Sequence, residues 1–388
     1  MKRYQFLIFL SIVLTSYLLM NYYIYAHAIT AFEPGTPSRL TFSLIFLCVI
    51  LLFPFGRIFE RFWHARWMYR ISELGSFWLA AMLYFFMISF LFDLAGWVTS
   101  FFGVHAFLEN QVFQKYAVMI SGGSVFLLLI GGYINARNPR LKRLDLTIRK
   151  PAPVKELKII AVSDIHLGSI IGEKRLAGLV RRINAQTPDL VLFAGDILDE
   201  DTGPVIHQNL GSCLERIQSK YGVFATTGNH EFIGGINKAI PFLENHNIVV
   251  LKDSWVAPAG QAIIAGRLDR DMPRYSGQKN KSLKEVLSGA DTSKPVIVMD
   301  HQPARLKESA EMGVDLHISG HTHHGQIWPL QFFTRRLFKI SWGYRKMNTT
   351  HFYVSSGFGT WGPPVRIGNR PEIVIFQLHF EGNKPAEE

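Results

Sequence analysis

The sequence predicts two structural parts, an N-terminal α-helical transmembrane bundle and a C-terminal α/β domain. The chain has 388 residues, enough for two domains of ordinary size. Its apolar residues concentrate before residue 136, where they form runs long enough to span a membrane. Beyond that point the apolar runs are short and end in polar clusters, as buried strands of α/β domains do. The predicted boundaries are 1–135 for the membrane region, 136–155 for a basic linker, 156–380 for the α/β domain and 381–388 for a tail.

Four apolar stretches are candidates for membrane spans, because one crossing needs about 20 apolar residues. The second stretch is the shortest and ends at Pro54, so its assignment is the least secure. A cleavable signal peptide would explain only the first stretch, which lacks a small-x-small cleavage site and is followed by three more. We therefore predict a four-helix, multi-pass protein of the inner (cytoplasmic) membrane. The stretches are 5–25, 40–55, 76–98 and 117–134.

The basic residues are placed unevenly along the membrane region. They are frequent before the first stretch, between the second and third, and after the fourth, and they are scarce elsewhere. By the positive-inside rule, this alternation predicts cytoplasmic termini and a cytoplasmic C-terminal domain. It also accounts for the formal charge of +11 without nucleic-acid binding. The only cysteines, Cys48 and Cys213, are far apart, so we expect no disulfide framework.

Two features of the membrane region have more than one interpretation. Asp93 is a carboxylate inside the third stretch, and intramembrane charges are candidates for function. Its place near one end of the stretch favours a structural role close to the headgroups. The segment 57–70 carries Phe62, Trp63 and Trp67. It is consistent either with an interfacial amphipathic helix or with a loop of anchoring aromatic residues.

The α/β domain contains five short apolar runs, and each is followed directly by polar side chains. A predicted helix at 173–185 lies between the first two runs and indicates a β-α-β unit. In open α/β sheets the ligand site lies beyond the carboxyl ends of the strands, so the polar clusters should meet there. The runs are 157–162, 190–194, 222–226, 296–299 and 316–319. The residues that follow them are Asp164 and His166, Asp196 and Asp199, Asn229 to Glu231, Asp300 and His301, and His321 and His323.

The donor types of these clusters predict a metal site. Asp, Asn and His supply oxygen and nitrogen ligands. Such mixed sites suit Mn, Fe or Zn, whereas Ca and Mg prefer sites made of oxygen ligands alone. Asp164 with His166, and His321 with His323, are pairs two residues apart, whose side chains share a face in extended chain. Each pair can therefore converge on one small site.

The ordered motifs Asp-x-His, Gly-Asp-x-x-Asp, Gly-Asn-His-Glu, His and Gly-His-x-His resemble those of the calcineurin-like metallophosphoesterase superfamily. The resemblance covers about 156–380, and 354–368 is similar to a bacterial branch often found behind a membrane segment. It implies a two-sheet β-sandwich flanked by helices. It further implies one metal on Asp164, His166, Asp196 and His323, and a second on Asp196, Asn229, His301 and His321. Asp196 would bridge the two metals, with His230 and the adjoining Asn229 as the catalytic residues.

The chemistry agrees with these implied roles. Two metals about 3.5–4 Å apart can clamp the attacking and leaving oxygens of an in-line displacement, with a hydroxide between them as nucleophile. His230 would protonate the leaving oxygen, while Asp199 and Glu231 would orient ligand histidines. His324 stands where this branch usually has Gly. It is either an extra phosphate contact or a solvent-facing substitution, and the second interpretation is favoured.

A basic and aromatic segment follows the last motif, at 328–346. It contains five cations and six aromatic residues but no acidic residue. One interpretation is a loop that packs its aromatics on the core and leaves its charges in water. The favoured interpretation is a lip that meets lipid headgroups or a lipid phosphate at the membrane surface. Single-stranded nucleic acid would use a similar composition, but nucleic acid is not the expected partner.

The sequence therefore predicts a membrane-bound hydrolase that cleaves phosphoester or pyrophosphate bonds with a metal-bridging hydroxide. The expected cofactors are two divalent metal ions, Mn²⁺ first, with Fe or Zn as alternatives. The expected partners are membrane lipids and a lipid-linked phosphorylated substrate. The resemblance implies a nucleotide-diacylglucosamine as one instance. The alternatives are a phosphodiesterase or nuclease acting on a soluble substrate, and a sensor or transporter with a regulatory phosphoesterase module. The complete ligand set and the few polar residues in the spans disfavour the last.

Overall fold

The computed structural model describes residues 3–103, 108 and 110–381. The chain forms two compact units, one of residues 1–134 with 362–365 and the other of the remaining residues. Residues 382–388, which make up most of the predicted tail, lie outside the described residues.

The first unit is helical. Within the described residues, α2, α3 and α4 are long and apolar enough to cross a membrane, and α1 contains the first predicted stretch. Pro54 does not end the second stretch, since α2 continues through it. Neither interpretation of the segment 57–70 holds throughout, because α2 ends at Phe59 and α3 begins at Arg66, so the segment is partly helix and partly connection. The helices are α1 (Arg3–Ala28), α2 (Pro37–Phe59), α3 (Arg66–Ser100) and α4 (Gln111–Ala136).

Close backbone contact joins α2 to α3. A Cβ atom on Gly75 would lie 2.5 Å from Phe53 Cα, and one on Gly56 would lie 2.7 Å from Ser72 Cα. Only glycine fits such an approach, which is how many membrane helices pack. On α1, the buried Asn21 amide accepts a hydrogen bond from Trp78 Nε1 at 2.9 Å. Packing of small residues and interhelical hydrogen bonds therefore hold this unit together.

The second unit consists of strands and short helices. The strands are β1 (Arg140–Ile148), β2 (Glu156–Val162), β3 (Leu190–Ala194), β4 (Val223–Thr226), β5 (Val249–Val250), β6 (Ser254–Val256), β7 (Ile263–Gly266), β8 (Val296–Met299), β9 (Leu316–Ser319), β10 (Gly343–Met347), β11 (Thr350–Val354) and β12 (Glu372–Phe380). The helices are α5 (Glu173–Asn184), α6 (Gly203–His207), α7 (Gly211–Leu214), α8 (Asn229–Ile233), α9 (Ile236–Glu244), α10 (Met272–Ser276), α11 (Leu283–Val286), α12 (Leu306–Glu311) and α13 (Gln331–Leu337). Short 3₁₀ turns occur at Ile29–Ala31, Pro258–Gly260 and His323–Gly325.

The strands form two sheets, which confirms the predicted two-sheet α/β architecture. The first sheet has the order β1-β12-β2-β3-β4-β5, and the second has the order β10-β11-β9-β8-β7-β6. β2, β3 and β4 run parallel to one another, as do β7, β8 and β9. The polar clusters predicted from the sequence therefore leave neighbouring strands at the same ends.

Both faces of the first sheet are buried at its central strands β2, β3 and β4, which explains why these strands are nearly continuous in apolar residues. Along β2, Ile159 and Ala161 pack with residues of both sheets, including Ile297 and Leu316. The alternate residues on β2 pack on the other side, against residues that include those of α5. On α5 the buried residues recur at helical spacing, so this helix covers the sheet as the β-α-β prediction required.

A strand occupies the middle of the predicted linker, which was placed at 136–155. Residues 140–148 form β1, which pairs in parallel with β12 so that Arg140 lies opposite Glu372 and Ile148 opposite Phe380. Leu146 and Ile148 are buried. The alternation of Leu144, Leu146 and Ile148 was a period-two strand signal. The cations that share this segment gave it the composition of a linker, and the prediction of a linker here is wrong.

Candidate metal centre

The parallel strands bring the polar clusters together. Beyond β2 and β3 the two loops are joined, because Asp164 N donates to Gly195 O at 3.1 Å and His166 N donates to Asp196 O at 3.0 Å. Asp196 Oδ1 in turn accepts a hydrogen bond from His230 N, 2.9 Å away. The second sheet contributes through His321, whose N donates to Asp164 Oδ1 at 2.8 Å. Loops from both sheets thus meet at one place.

The backbone is strained where the predicted ligands lie. Five of them have positive φ angles, a region that residues other than glycine seldom adopt outside functional sites. Glycines next to the site make room for the side chains. A Cβ atom on Gly228 would lie 2.1 Å from Asp196 Oδ1, and one on Gly320 would lie 2.3 Å from Asp164 Oδ2. The five angles are 52° at Asp164, 52° at His166, 49° at Asp196, 69° at His321 and 44° at His323.

The first group of side chains consists of Asp164, His166 and His323, with ligand atoms within 4.8 Å of one another. The Nε2 atoms of His166 and His323 are 3.0 Å apart. His323 Nε2 lies 3.6 Å from Asp164 Oδ1. All three residues are buried. Nitrogen and oxygen lone pairs therefore converge in a space shielded from water.

The second group consists of Asp196, His301 and His321, also within 4.8 Å. His301 Nε2 lies 3.0 Å from Asp196 Oδ2, and His321 Nδ1 lies 2.9 Å from the Asn229 side-chain oxygen. Asp196 Oδ2 is also 3.9 Å from His166 Nε2, a member of the first group. The Asp196 carboxylate therefore lies between the two groups.

The donor atoms fit divalent cations. Asp164 Oδ2, His166 Nδ1 and His301 Nε2 are buried without a hydrogen bond of good geometry, and buried polar atoms of this kind need a partner. Burial lowers the pKa of His166 to about 3 and that of His321 to about 4. Burial also lowers the pKa of His301, but the carboxylates of Asp196 and Asp164 outweigh that effect and raise it well above its usual value, so binding a cation there requires loss of a proton. Neutral imidazole is the form that binds a metal. The residues present therefore suit a pair of cations.

His230 stands beside these groups and faces a carboxylate. Its Nδ1 atom lies 3.1 Å from Asp199 Oδ1, and its ring centroid is 4.5 Å from that of His166. Burial lowers the pKa of His230, but the carboxylates of Asp196 and Asp199 outweigh that effect and raise it to about 9. The His230 ring is therefore held in one orientation and favoured in its protonated form.

The two carboxylates predicted to orient histidines differ in role. Asp199 contacts His230, the predicted catalytic histidine, and its Oδ1 atom lies farther away, at 3.8 Å, from Nδ1 of the predicted ligand His166. Glu231 instead accepts hydrogen bonds from backbone N–H groups of residues 196–198 at 3.1, 2.7 and 2.9 Å, and from Gly228 N at 2.7 Å. It therefore fixes the Asp196 loop rather than a histidine ring, and the prediction for Glu231 was wrong in this respect.

His324 is buried, so its interpretation as a solvent-facing substitution was also wrong. Only 5% of the residue is exposed, and its ring lies 5.2 Å from the Trp342 ring. Its Nδ1 atom is 3.3 Å from Ser341 Oγ. The φ of His324 is 47°, which shows why glycine is suited to this position. The side chain supports the segment that follows the metal centre.

The sequence did not single out Arg366, which the structure places against a predicted ligand. The guanidinium is fully buried. Its Nη2 atom is 3.2 Å from His323 Nδ1 and donates to Gly359 O at 2.7 Å. The 354–368 motif contained Arg366, but no spacing argument connected it with the Gly-His-x-His motif.

Asp300, whose role the sequence left open, accepts two hydrogen bonds from Arg305, at 2.9 and 2.7 Å.

The basic and aromatic segment 328–346 borders the metal centre. The Phe338 ring lies 6.0 Å from the His321 ring. On α13, Phe333 and Leu337 are 64% and 76% exposed, so they do not pack on the core. Trp342 is fixed, since its Nε1 donates to the buried Glu372 at 3.1 Å. The segment is thus anchored at one end and presents apolar side chains beside the site.

Comparison with known proteins is consistent with this geometry. The family model for calcineurin-like phosphoesterases matches residues 157–325. An uncharacterized metallophosphoesterase of Campylobacter jejuni is 33% identical over 98% of this chain and 100% of its own length. One from Aquifex aeolicus is 32% identical over 66% of this chain and 98% of its own length. A Bos taurus transmembrane protein with a metallophosphoesterase domain is 30% identical over 64% of this chain and 59% of its own length.

Proposed function

This chain belongs to the calcineurin-like phosphoesterase family, and from that membership we propose that it is a dinuclear hydrolase of a lipid-linked phosphoester or pyrophosphate. Membership makes it a metal-dependent phosphoesterase. The observation that carries the proposal is the position of Asp196 between two groups of metal-binding side chains. One cation would be held by Asp164, His166, Asp196 and His323. The other would be held by Asp196, Asn229, His301 and His321.

The protein's own residues supply positioning and proton transfer. When bound, a pair of divalent cations would polarise the phosphoryl oxygens and make water a stronger nucleophile near neutral pH. His230 would give its proton to the leaving oxygen. Asp199 holds the His230 ring by Nδ1, which leaves the opposite ring nitrogen for the substrate. Glu231 holds the Asp196 loop in its positive-φ conformation.

The metals proposed are Mn²⁺ first, with Fe or Zn as alternatives. The ligand set combines imidazoles, carboxylates and one amide, without a thiolate. Mixed nitrogen and oxygen sets of this kind suit those metals better than Ca or Mg. Metal identity is tested by measuring which cation restores activity to the chelator-treated full chain.

The surface beside the site supports a lipid-linked substrate. Phe333 and Leu337 are four residues apart on α13, so they share a face of that helix. Arg335 and Arg336 are exposed on the same helix. Apolar side chains interleaved with cations are typical of segments that bind a membrane interface. Each cation near an anionic surface contributes about 1 kcal/mol.

Removing the cations of the segment 328–346 should lower turnover of a lipid substrate and leave turnover of a soluble substrate unchanged. We expect the triple variant Arg335→Gln, Arg336→Gln, Lys339→Gln to lose most turnover of a lipid-linked pyrophosphate in anionic vesicles, and to keep wild-type turnover of bis(p-nitrophenyl) phosphate. Both rates are measured on the full chain. A matched control is the triple variant Lys238→Gln, Lys284→Gln, Lys307→Gln, which removes three exposed cations outside 328–346. Equal losses on both substrates would indicate a general phosphate-binding or folding role, and no loss on either would remove the segment from the mechanism.

The catalytic unit is proposed to face the cytoplasm of a multi-pass inner-membrane protein. The support is the alternation of basic flanks, with Arg57, Arg61, Arg66 and Arg70 between α2 and α3 or at their ends. We expect a C-terminal reporter that works only in the cytoplasm to be active. The same reporter inserted at residues 33–36, between α1 and α2, should be inactive. The reverse pattern would overturn the orientation.

A further inference from the structure

The first unit, whose helices α1 to α4 form the proposed membrane unit, contains a cavity of about 650 Å³. Residues of α1, α2, α3 and α4 line it, together with Leu108, and most of them are apolar. Its volume is within the range of about 300–1,000 Å³ that is usual for sites of small ligands. The cavity lies at the end of the unit where α1 and α3 finish and α2 and α4 begin. This is the end opposite the Arg-rich connection between α2 and α3.

A polar cluster lies at this mainly apolar wall, and two of its members, His27 and Asp93, line the cavity. His27 Nε2 lies 2.7 Å from Asp93 Oδ1, and the Tyr23 hydroxyl donates to Asp93 Oδ2. His27 Nδ1 is 3.0 Å from the backbone oxygen of Tyr23. The Asp93 side chain keeps 53% of its surface exposed, so a ligand can reach it. Asp93 is therefore held by two side chains of α1 and is still accessible from the cavity.

We propose that this cavity binds one hydrocarbon chain of a membrane lipid whose headgroup carries a primary amine. The walls fit an alkyl chain, because Ile45, Phe46 and Phe85 contribute apolar surface. The Asp93 carboxylate attracts an ammonium group and accepts its hydrogen bonds. Among the lining residues that the structure describes, none is Lys or Arg, and His27 is already paired with Asp93, so an anionic headgroup would have to compete with Asp93 for the His27 ring. This site is separate from the proposed phosphoesterase site and does not depend on it.

Two adjacent glycines on α4 allow a matched test of whether the cavity binds the hydrocarbon chain of a lipid. Gly122 lines the cavity, whereas Gly123 is not among the lining residues. A Cβ atom at either position would meet nothing within 4 Å, so both accept a larger side chain without backbone contact. Gly122→Leu fills the cavity, and Gly123→Leu adds the same side chain outside it. A second pair is Val118→Phe, which lines the cavity, and Met119→Phe, which is 69% exposed.

The measurement is native mass spectrometry of the delipidated full chain titrated with dioleoyl phosphatidylethanolamine. We expect wild type, Gly123→Leu and Met119→Phe to bind one lipid with equal affinity. Gly122→Leu and Val118→Phe should bind at least about tenfold more weakly, while all variants keep wild-type turnover of a soluble diester as evidence of folding. Wild-type lipid affinity in both cavity-filling variants would overturn the proposal.

The preference for a primary-amine headgroup is tested with lipids that have the same hydrocarbon chains and different headgroups. Phosphatidylethanolamine has N–H donors, whereas the quaternary ammonium of phosphatidylcholine has none. Wild type should prefer the ethanolamine lipid over both phosphatidylcholine and phosphatidylglycerol, and Asp93→Asn should lose that preference but still bind a chain. Equal binding of the three lipids by wild type would overturn the amine assignment, as would an unchanged preference in Asp93→Asn.

Discussion

Replacing Asp196 with alanine should abolish turnover and lower the metal content at both cation positions. Its carboxylate lies 3.0 Å from His301 Nε2 in one group and 3.9 Å from His166 Nε2 in the other. It is the proposed bridge, so its removal takes one ligand from each cation. The same substitution removes the acceptor of the His230 backbone N–H. Activity should therefore fall to the background rate, which is the largest effect we expect of any single substitution.

Elemental analysis of the purified full chain tests this prediction alongside the kinetic assay. Wild type should contain two cations per chain, and Asp196→Ala should contain fewer than one. Asp291→Ala is a suitable control, because this aspartate is exposed and bonds within its own turn to Ser293. The control should retain both metals and full activity. Two metals retained in Asp196→Ala would show that the bridge has been assigned to the wrong residue.

The sequence predicted five of the twelve strands described in the catalytic unit, and it predicted that their polar ends meet. This succeeded because parallel strands buried on both faces are nearly continuous in apolar residues, and their carboxyl ends share one edge. The helix predicted at 173–185 is α5, Glu173–Asn184. The two-sheet architecture came from the resemblance and agrees with the observed order of strands.

Features that depend on contacts between distant segments were not accessible in the same way. β1 pairs with β12, more than 200 residues away in the chain, so its cations suggested a linker until the partner strand was known. Glu231 is adjacent to His230 in sequence, but its four backbone donors belong to the loop after β3 and to Gly228. His324 is buried because the chain turns back to place Trp342 over it. In each case tertiary contacts decided the role.

Substituting His230 by alanine should leave both metals in place and slow hydrolysis most for substrates with poor leaving groups. Loss of a general acid typically costs about 10²–10⁴-fold. An alkyl ester needs the proton at its leaving oxygen and should show a loss of that size. A p-nitrophenyl ester needs little protonation of its leaving oxygen, so its hydrolysis should be slowed much less. The orientation of the ring by Asp199 Oδ1, 3.1 Å from Nδ1, predicts a smaller loss with the same dependence on leaving group for Asp199→Asn.

Metal content distinguishes this role from the alternative of a ligand. His230 also lies in a third group of donor atoms, with His166 and Asp199, and the metal content of His230→Ala shows whether this group holds a cation. If His230 were a ligand, His230→Ala would lose metal as Asp196→Ala does, and excess Mn²⁺ would restore part of the rate for both esters. If His230 is the acid, the variant keeps two cations per chain, and the deficit on the alkyl ester persists at every metal concentration. His207→Ala, an exposed histidine on α6, is the matched control and should behave as wild type. An unchanged rate on the alkyl ester would show that the leaving oxygen takes its proton from another group.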